Sequence, residues 1–353
     1  MVSVGDAVLD WLRLPYVEWA LPIPVLAALA PVVWLVFRST WRELDVAAAA
    51  YRHELEALGK TDWRPAAVFA FGGFVLIVQA KVGTTTIFST HLLPALRAAA
   101  AESPSISGVL ADYTDLLGRT WWAAFRVCGY LAPLLVWRLL FPADRILDMG
   151  LRVRGLREHV WIYALAVVVL VPLILLLARR PDFGRQYPIF REAGRSWVDF
   201  AAWEVLYIAQ FFTLEVFFRG WWLRACRGLG SAAIFSMIAP YVLIHVNKPY
   251  LEGCAAIVAG VVLGSLSMRT GSIWAGFLVH STVGVLMDVA ALGAKGALPE
   301  RLTALSERRL VFGGWNSVVW GCWGIAACTL AVWVAPHVRR WRPRSDRTHS
   351  SGP

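Results

Sequence analysis

Charge is scarce in this chain. Only 16% of its 353 residues are Asp, Glu, Lys or Arg, against 58% that are hydrophobic, and the mean hydropathy is +0.57. A soluble globule of this length needs more polar surface, so that class is excluded and a polytopic membrane protein remains. Cysteine is sparse as well. Cys128, Cys226, Cys254, Cys322 and Cys328 are scattered in or beside apolar segments with no C-x-x-C among them, which leaves no zinc ribbon or disulfide framework and reads as small buried residues. No H-E-x-x-H occurs, so the usual helical zinc-protease signature is missing. The opening residues, Met1 to Glu18, lack the positive start of a cleaved signal peptide. The net charge of +10 raises the question of nucleic acid, but no aromatic-basic recognition module is present. The arginines cluster at the ends of apolar runs, where topogenic charge explains them.

What is present is a series of apolar runs separated by charged breaks, about nine spans of an all-α polytopic membrane helical bundle. Leu21 to Phe37 is the first, and the charged segment Ser39 to Arg64 behind it reads as a solvated or interfacial helix. Ala66 to Ala80 is a short second span, and the long segment Val82 to Gly118 either carries function or packs as a cap. Trp121 to Phe141 is the third, with Arg126 either snorkelling or paired. Arg138, Arg145, Arg152, Arg154 and Arg157 crowd the loop that follows and point it to the cytoplasm. Val160 to Leu177 has no ionisable residue and is scaffold. The arginines of Arg179 to Arg195 fall on the opposite side, which reads as an interfacial helix. Ser196 to Arg227, Ser231 to Val246, Gly253 to Met268 and Ile273 to Leu292 come next, and Trp315 to Val334 is last, before a basic tail. Gly260 and Gly264 have the spacing that permits close helix approach, and Trp34, Trp121, Trp221, Trp274 and Trp341 read as interfacial anchors. The resulting division is an N-terminal membrane region over 1–195, a core over 196–292, and a last span with a cytoplasmic tail over 293–353. The expected location is the cell membrane, with many passes.

The chemistry lies in the few ionisable residues inside these spans. A charge there costs about 2.5 to 3.5 kcal/mol on insertion scales, so it faces a protein interior and serves a purpose. Glu215 and Arg219, in T-L-E-V-F-F-R-G, share one helix face at i and i+4 and can pair. Taken alone this is equally a structural ion pair. Gly228-Leu229-Gly230 marks a turn, and Glu215 and His245 are equidistant from Gly230, so a hairpin would bring them to one depth as a water-activating pair. His280 lies in a later span, with Gly284 four residues on and Asp288 eight on. Depth counting leaves it about 10 Å from the level of His245, a gap that tilt can close.

The order Glu-x-x-x-Arg-Gly, then His245 followed by Asn-Lys-Pro and Glu252, then a span with His280, resembles the CPBP family of intramembrane proteases. That family includes type II CAAX-prenyl proteases and bacteriocin-processing or immunity proteins. The resemblance implies that Glu215 is the base, His245 its partner, His280 an oxyanion donor and Arg219 the group that orients the carboxylate. Glu252 and Asp288 are the further supporting residues. Two departures stand out. Leu214 occupies the place of the family's first motif glutamate, and Gly284 stands where the family often has Asn. Glu204 and Asp288 are the acidic residues placed to compensate.

The function expected from this is hydrolysis of a peptide bond in a membrane protein or peptide substrate, within the lipid bilayer, without a cofactor and without nucleic acid. A zinc ion on Glu215, His245 and His280 is the alternative mechanism. The alternative function is a non-catalytic family member that acts as a membrane binding or immunity protein. Transport ranks below both, because no inverted repeat or pair of broken helices is visible.

Overall fold

The computed structural model describes residues 14–153 and 156–304. Eight principal helices carry the fold: α1 Pro22–Ala57, α2 Arg64–Lys81, α3 Thr114–Leu140, α4 Leu156–Leu177, α5 Trp197–Ala225, α6 Ala232–Leu243, α7 Tyr250–Thr270 and α8 Trp274–Ala294. Six of them are long and apolar enough to cross a membrane, while α6 and the apolar part of α4, Ala164–Leu177, are shorter. Among the described residues there is no strand, only an isolated bridge between Leu151 and Ser272. The expected span Trp315 to Val334 and the basic tail lie outside the described residues.

Local chemistry sets the helix ends. Proline opens α1 and stands at the start of α2, where a missing N–H costs nothing, and Gly271 ends α7 in the left-handed region at φ 72°. Gly230, at φ 63°, turns the chain from α5 to α6. A Cβ there would overlap the Asp45 carboxylate, which accepts the Ser231 backbone N–H at 2.7 Å.

The structure revises some expectations and decides between the alternatives in others. The first span and the charged segment after it are one continuous helix of 36 residues, about 54 Å long at 1.5 Å per residue. That exceeds the roughly 30 Å hydrocarbon layer, so the charged half leaves it. The segment after α2 is a cap of short helices, with Phe88, Leu93, Ala100 and Leu110 forming a small core of their own. Arg126 is paired: it donates to Gln79 Oε1 at 3.2 Å and to the Tyr130 hydroxyl at 3.3 Å, and lies over Trp122. Trp221 is no interfacial anchor. It is wholly buried against Trp137 and Phe217, because the stretch Val216 to Leu223 is enclosed on every side. The arginines of the 179–195 segment are partly neutralised, Arg180 by Asp182 at 2.9 Å and Arg195 by Asp199 at 2.8 Å.

The fold is built around α5, which is 56% buried over its apolar window against 11% for α1. It packs on α3 and α8, α6 packs on α7, and α4 lies against α8. The Gly260 and Gly264 pair does what its spacing allows. Cβ atoms added there would meet Ile238, Tyr241, Ile234 and Met237 of α6 at 3.2 to 3.3 Å, so α6 and α7 are in close contact. On one side of the bundle, Arg64 binds Asp144 and Ile273 N–H donates to Gly150, joining the α1–α2, α3–α4 and α7–α8 connections. On the other, Tyr187 binds Glu252 and Arg195 donates to the Asp112 carbonyl, joining the cap, the 179–195 segment and the start of α7.

Candidate active site

Midway along α5 the α-helix gives way to a seven-residue π-helix, Val216–Trp222, directly after Glu215. π segments cost hydrogen-bond geometry and recur at functional sites. Arg219 lies within this segment, four residues from Glu215 and on the same face. Arg219 Nη1 is 3.1 Å from Glu215 Oε1, and both side chains are 0% exposed. The guanidinium also lies over the Tyr241 ring of α6, 3.9 Å from its centre. Charge and the aromatic face hold it, since its nitrogens make no directed hydrogen bond within the described protein.

The same carboxylate oxygen meets His280. His280 Nδ1 lies 3.0 Å from Glu215 Oε1, and its ring stacks on Phe211 with centroids 4.4 Å apart. Glu215 Oε2 has no hydrogen-bond partner among the described residues. Gly276 of α8 makes room for that oxygen, as a Cβ at this position would stand 3.1 Å from it. The histidine is 15% exposed where the carboxylate is sealed. Access to the pair therefore runs past His280.

His245 is joined to this pair indirectly. It follows the C-terminal end of α6, a helix of only 12 residues, and its Nδ1 is 2.9 Å from the Tyr241 carbonyl. Its ring packs edge-on against Tyr241, the same ring that carries Arg219. The line Glu215, Arg219, Tyr241, His245 is thus continuous, and His245 and His280 are electrostatic neighbours. Tyr241 was not singled out in the sequence. Its signal was its place one turn before the histidine.

Glu252 and Asp288 belong elsewhere. Glu252 accepts from the Tyr187 hydroxyl at 2.9 Å, and Lys248 donates to the same hydroxyl at 3.0 Å. Burial, then the charges of Tyr207 and Glu252, push the Tyr187 phenol well above its ordinary range. Asp288 accepts from Trp203 Nε1 at 2.7 Å and from the Ile189 N–H at 3.3 Å. Glu204 is buried beside Asp288 with neither oxygen hydrogen-bonded among the described residues. These acids form a second polar cluster under the 179–195 segment and do not bond to Glu215.

The two departures have physical correlates. Leu214 is buried in the main apolar core, where a carboxylate would be stranded. At Gly284 a Cβ would overlap the Phe211 ring, so the ring that supports His280 fills the space of any side chain there.

Against known proteins, residues 196–286 match the model of the Rce1-like family, described as type II CAAX prenyl endopeptidase. The core is Rce1-like. It coincides with α5 to most of α8 and contains Glu215, Arg219, His245 and His280. The Rce1-like family is a protease family, and the segment that matches it lies in a helical membrane protein. No curated protein and no solved structure matches the chain. Among the described residues no group of three His, Cys, Asp or Glu side chains is arranged to hold a metal ion, and Glu215 Oε1 is taken by Arg219 and His280.

Proposed function

We propose that the protein is an intramembrane endopeptidase that cleaves a peptide bond of a membrane-associated or lipid-anchored substrate, with His280 as the base and Glu215 as the residue that orients it. The carrying observation is the 3.0 Å contact between His280 Nδ1 and Glu215 Oε1. A carboxylate paired with a guanidinium only accepts, so the shared hydrogen sits on His280 Nδ1 and leaves Nε2 with a free lone pair. The same reasoning applies to His245, whose Nδ1 faces a carbonyl. In this reading both imidazoles offer Nε2 to one water molecule. In the reaction, the water oxygen bonds to the scissile carbonyl carbon while its proton goes to His280 Nε2. The resulting imidazolium is stabilised by Glu215, the C–N bond breaks, and the proton passes to the leaving nitrogen. Histidine takes up the work for which Leu214 supplies no carboxylate.

The test uses the full chain in lipid vesicles with a prenylated C-a-a-X reporter peptide, the substrate class in the family's description. His280→Ala leaves the Glu215–Arg219 pair intact and is expected to lower cleavage by about 10² to 10⁴-fold, the size of a general-base contribution. Glu215→Gln is expected to lose cleavage and also stability, because Arg219 would be a buried charge with no partner. Chelator treatment is expected to leave the rate unchanged. Full activity of His280→Ala would sink the assignment, and loss to chelator with recovery on zinc would move it to the metal mechanism.

A second reading is favoured by the complete enclosure of Glu215 and Arg219, which suits a structural pair in a non-catalytic, peptide-binding member. That reading expects the reporter to bind uncleaved, with His280→Ala binding as tightly as the unaltered protein.

A further inference from the structure

Outside the candidate active site, a cavity of about 190 Å³ opens between the connection after α3 and the end of α5. Its charged lining is Asp144, Arg145, Asp148, Arg224 and Arg227. Both acids are already engaged by arginines that do not line it: Asp144 accepts a two-pronged contact from Arg64 at 2.9 and 3.3 Å, and Asp148 pairs with Arg152. Arg224 spends one nitrogen on the Ser267 carbonyl at 2.7 Å, while its buried Nε has no partner within the described protein. Arg145 is exposed, and Arg227 stands 3.8 Å from Asp144 and over the Tyr51 ring. The lining therefore presents an excess of guanidinium to whatever enters.

The surroundings separate a soluble anion from a tethered one. Leu139, Leu140 and Leu147, immediately before and within the same connection, are 81%, 52% and 63% exposed. A charged cavity whose lining segment carries exposed apolar side chains beside it in the chain, at the end of membrane-spanning helices, matches a molecule with a polar head and an apolar tail. Basic pockets between helices on the cytoplasmic side are a known physical solution for anionic head groups. Guanidinium forks also suit phosphate oxygens better than a point charge does.

We propose that this cavity binds the phosphate of an anionic phospholipid head group, held by Arg224, Arg145 and Arg227, with its acyl chains along Leu139, Leu140 and Leu147. The site is separate from the Glu215–His280 pair but close to it in the chain. Gly220 of the π-helix is covered by the Met149 carbonyl of the same connection, and Ser267, whose carbonyl Arg224 holds, donates through its hydroxyl to the Arg219 carbonyl at 3.1 Å.

The experiment measures binding of dioctanoyl phosphatidylglycerol to the purified full chain in neutral detergent, by native mass spectrometry and by thermal shift. Dioctanoyl phosphatidylcholine and inorganic phosphate are run beside it. Phosphatidylglycerol is expected to bind at least about tenfold more tightly than phosphatidylcholine, and Arg224→Gln to weaken it about fivefold, the worth of one basic residue near an anionic lipid. Arg145→Gln, on an exposed side chain, is expected to weaken it to a similar extent and decides the matter if Arg224→Gln does not fold. Equal binding of the two lipids would overturn the proposal, as would unaltered binding in both variants. Inorganic phosphate binding as tightly as the lipid would assign the arginines to a soluble anion. Displacement of the lipid by a peptide with a free C-terminal carboxylate would assign them to a peptide.

Discussion

Phe211 and Gly284 share one space, and that space lies beside His280. A side chain at 284 would have to displace the ring that stacks on the histidine. Restoring the family's asparagine by Gly284→Asn is therefore expected to destabilise the protein by about 1 to 3 kcal/mol, the usual cost of overpacking. Phe211→Ala is expected to cost less in the Gly284→Asn background than in the unaltered protein, which a double-mutant cycle of detergent melting temperatures would register. Additive losses would mean that the two positions do not compete. At this scale the sequence was informative about identity more than about contact. The Glu215–Arg219 pair followed from helical spacing alone. The contact of His280 with Glu215 did not, because depth counting assumes a uniform 1.5 Å rise, and α5 passes through a π-helix while α6 stops after 12 residues. Nothing in a sequence window announces either event.

Among the elements, the joint formed by Asp144 ties α2, the end of α3 and the turn after α5. Partial burial pushes the Asp144 carboxyl up. Hydrogen bonds from Arg64 and Trp137 and the charges of Arg64 and Arg227 outweigh that and hold it below its ordinary range. A carboxyl lowered on folding stabilises the fold fully above its unfolded pKa of about 3.9 and loses that contribution as pH falls through the folded value. Asp144→Asn is thus expected to lower the melting temperature at pH 6 and to converge with the unaltered protein as the pH drops below about 4. A constant gap across that range would refute the linkage. Helix existence and order were readable from the apolar runs, and so was a close helix approach at Gly260 and Gly264, though not that α6 is the partner. The cap was not, since its segment mixes Thr, Ala, Ser and Pro without a period that selects one arrangement.

Among the described residues, eight principal helices in alternation place the 57–64, 141–153, 226–231 and 271–273 connections on one side of the molecule, where contacts join them. Arg145, Arg224 and Arg269 give that side its positive excess, while Arg180 and Arg195 of the other side are paired with carboxylates. The expectation is a cytoplasmic position for the 141–153 connection. With the native cysteines replaced, Ala143→Cys in intact cells should react with an impermeant maleimide only after the membrane is opened, and Ala101→Cys in the cap should react before. The reverse pattern would invert the orientation. Charge counting in the sequence pointed the same way but stalled at the 179–195 arginines, because a count cannot see which of them are neutralised.

The shortness of α6 reaches beyond the protein. Its 12 residues span about 18 Å, against roughly 30 Å of hydrocarbon, and Phe235 and Leu243 are 48% and 67% exposed on its outer face. A hydrophobic stretch this short is accommodated by thinning of the lipid beside it or by snorkelling of its flanking residues, and His245 sits at its end. A transmembrane segment drifting against this flank finds its last turns in a thinner, wetter layer, where a helix is less favoured over an extended chain. Under the proposed function, the bilayer itself would help to uncoil the substrate.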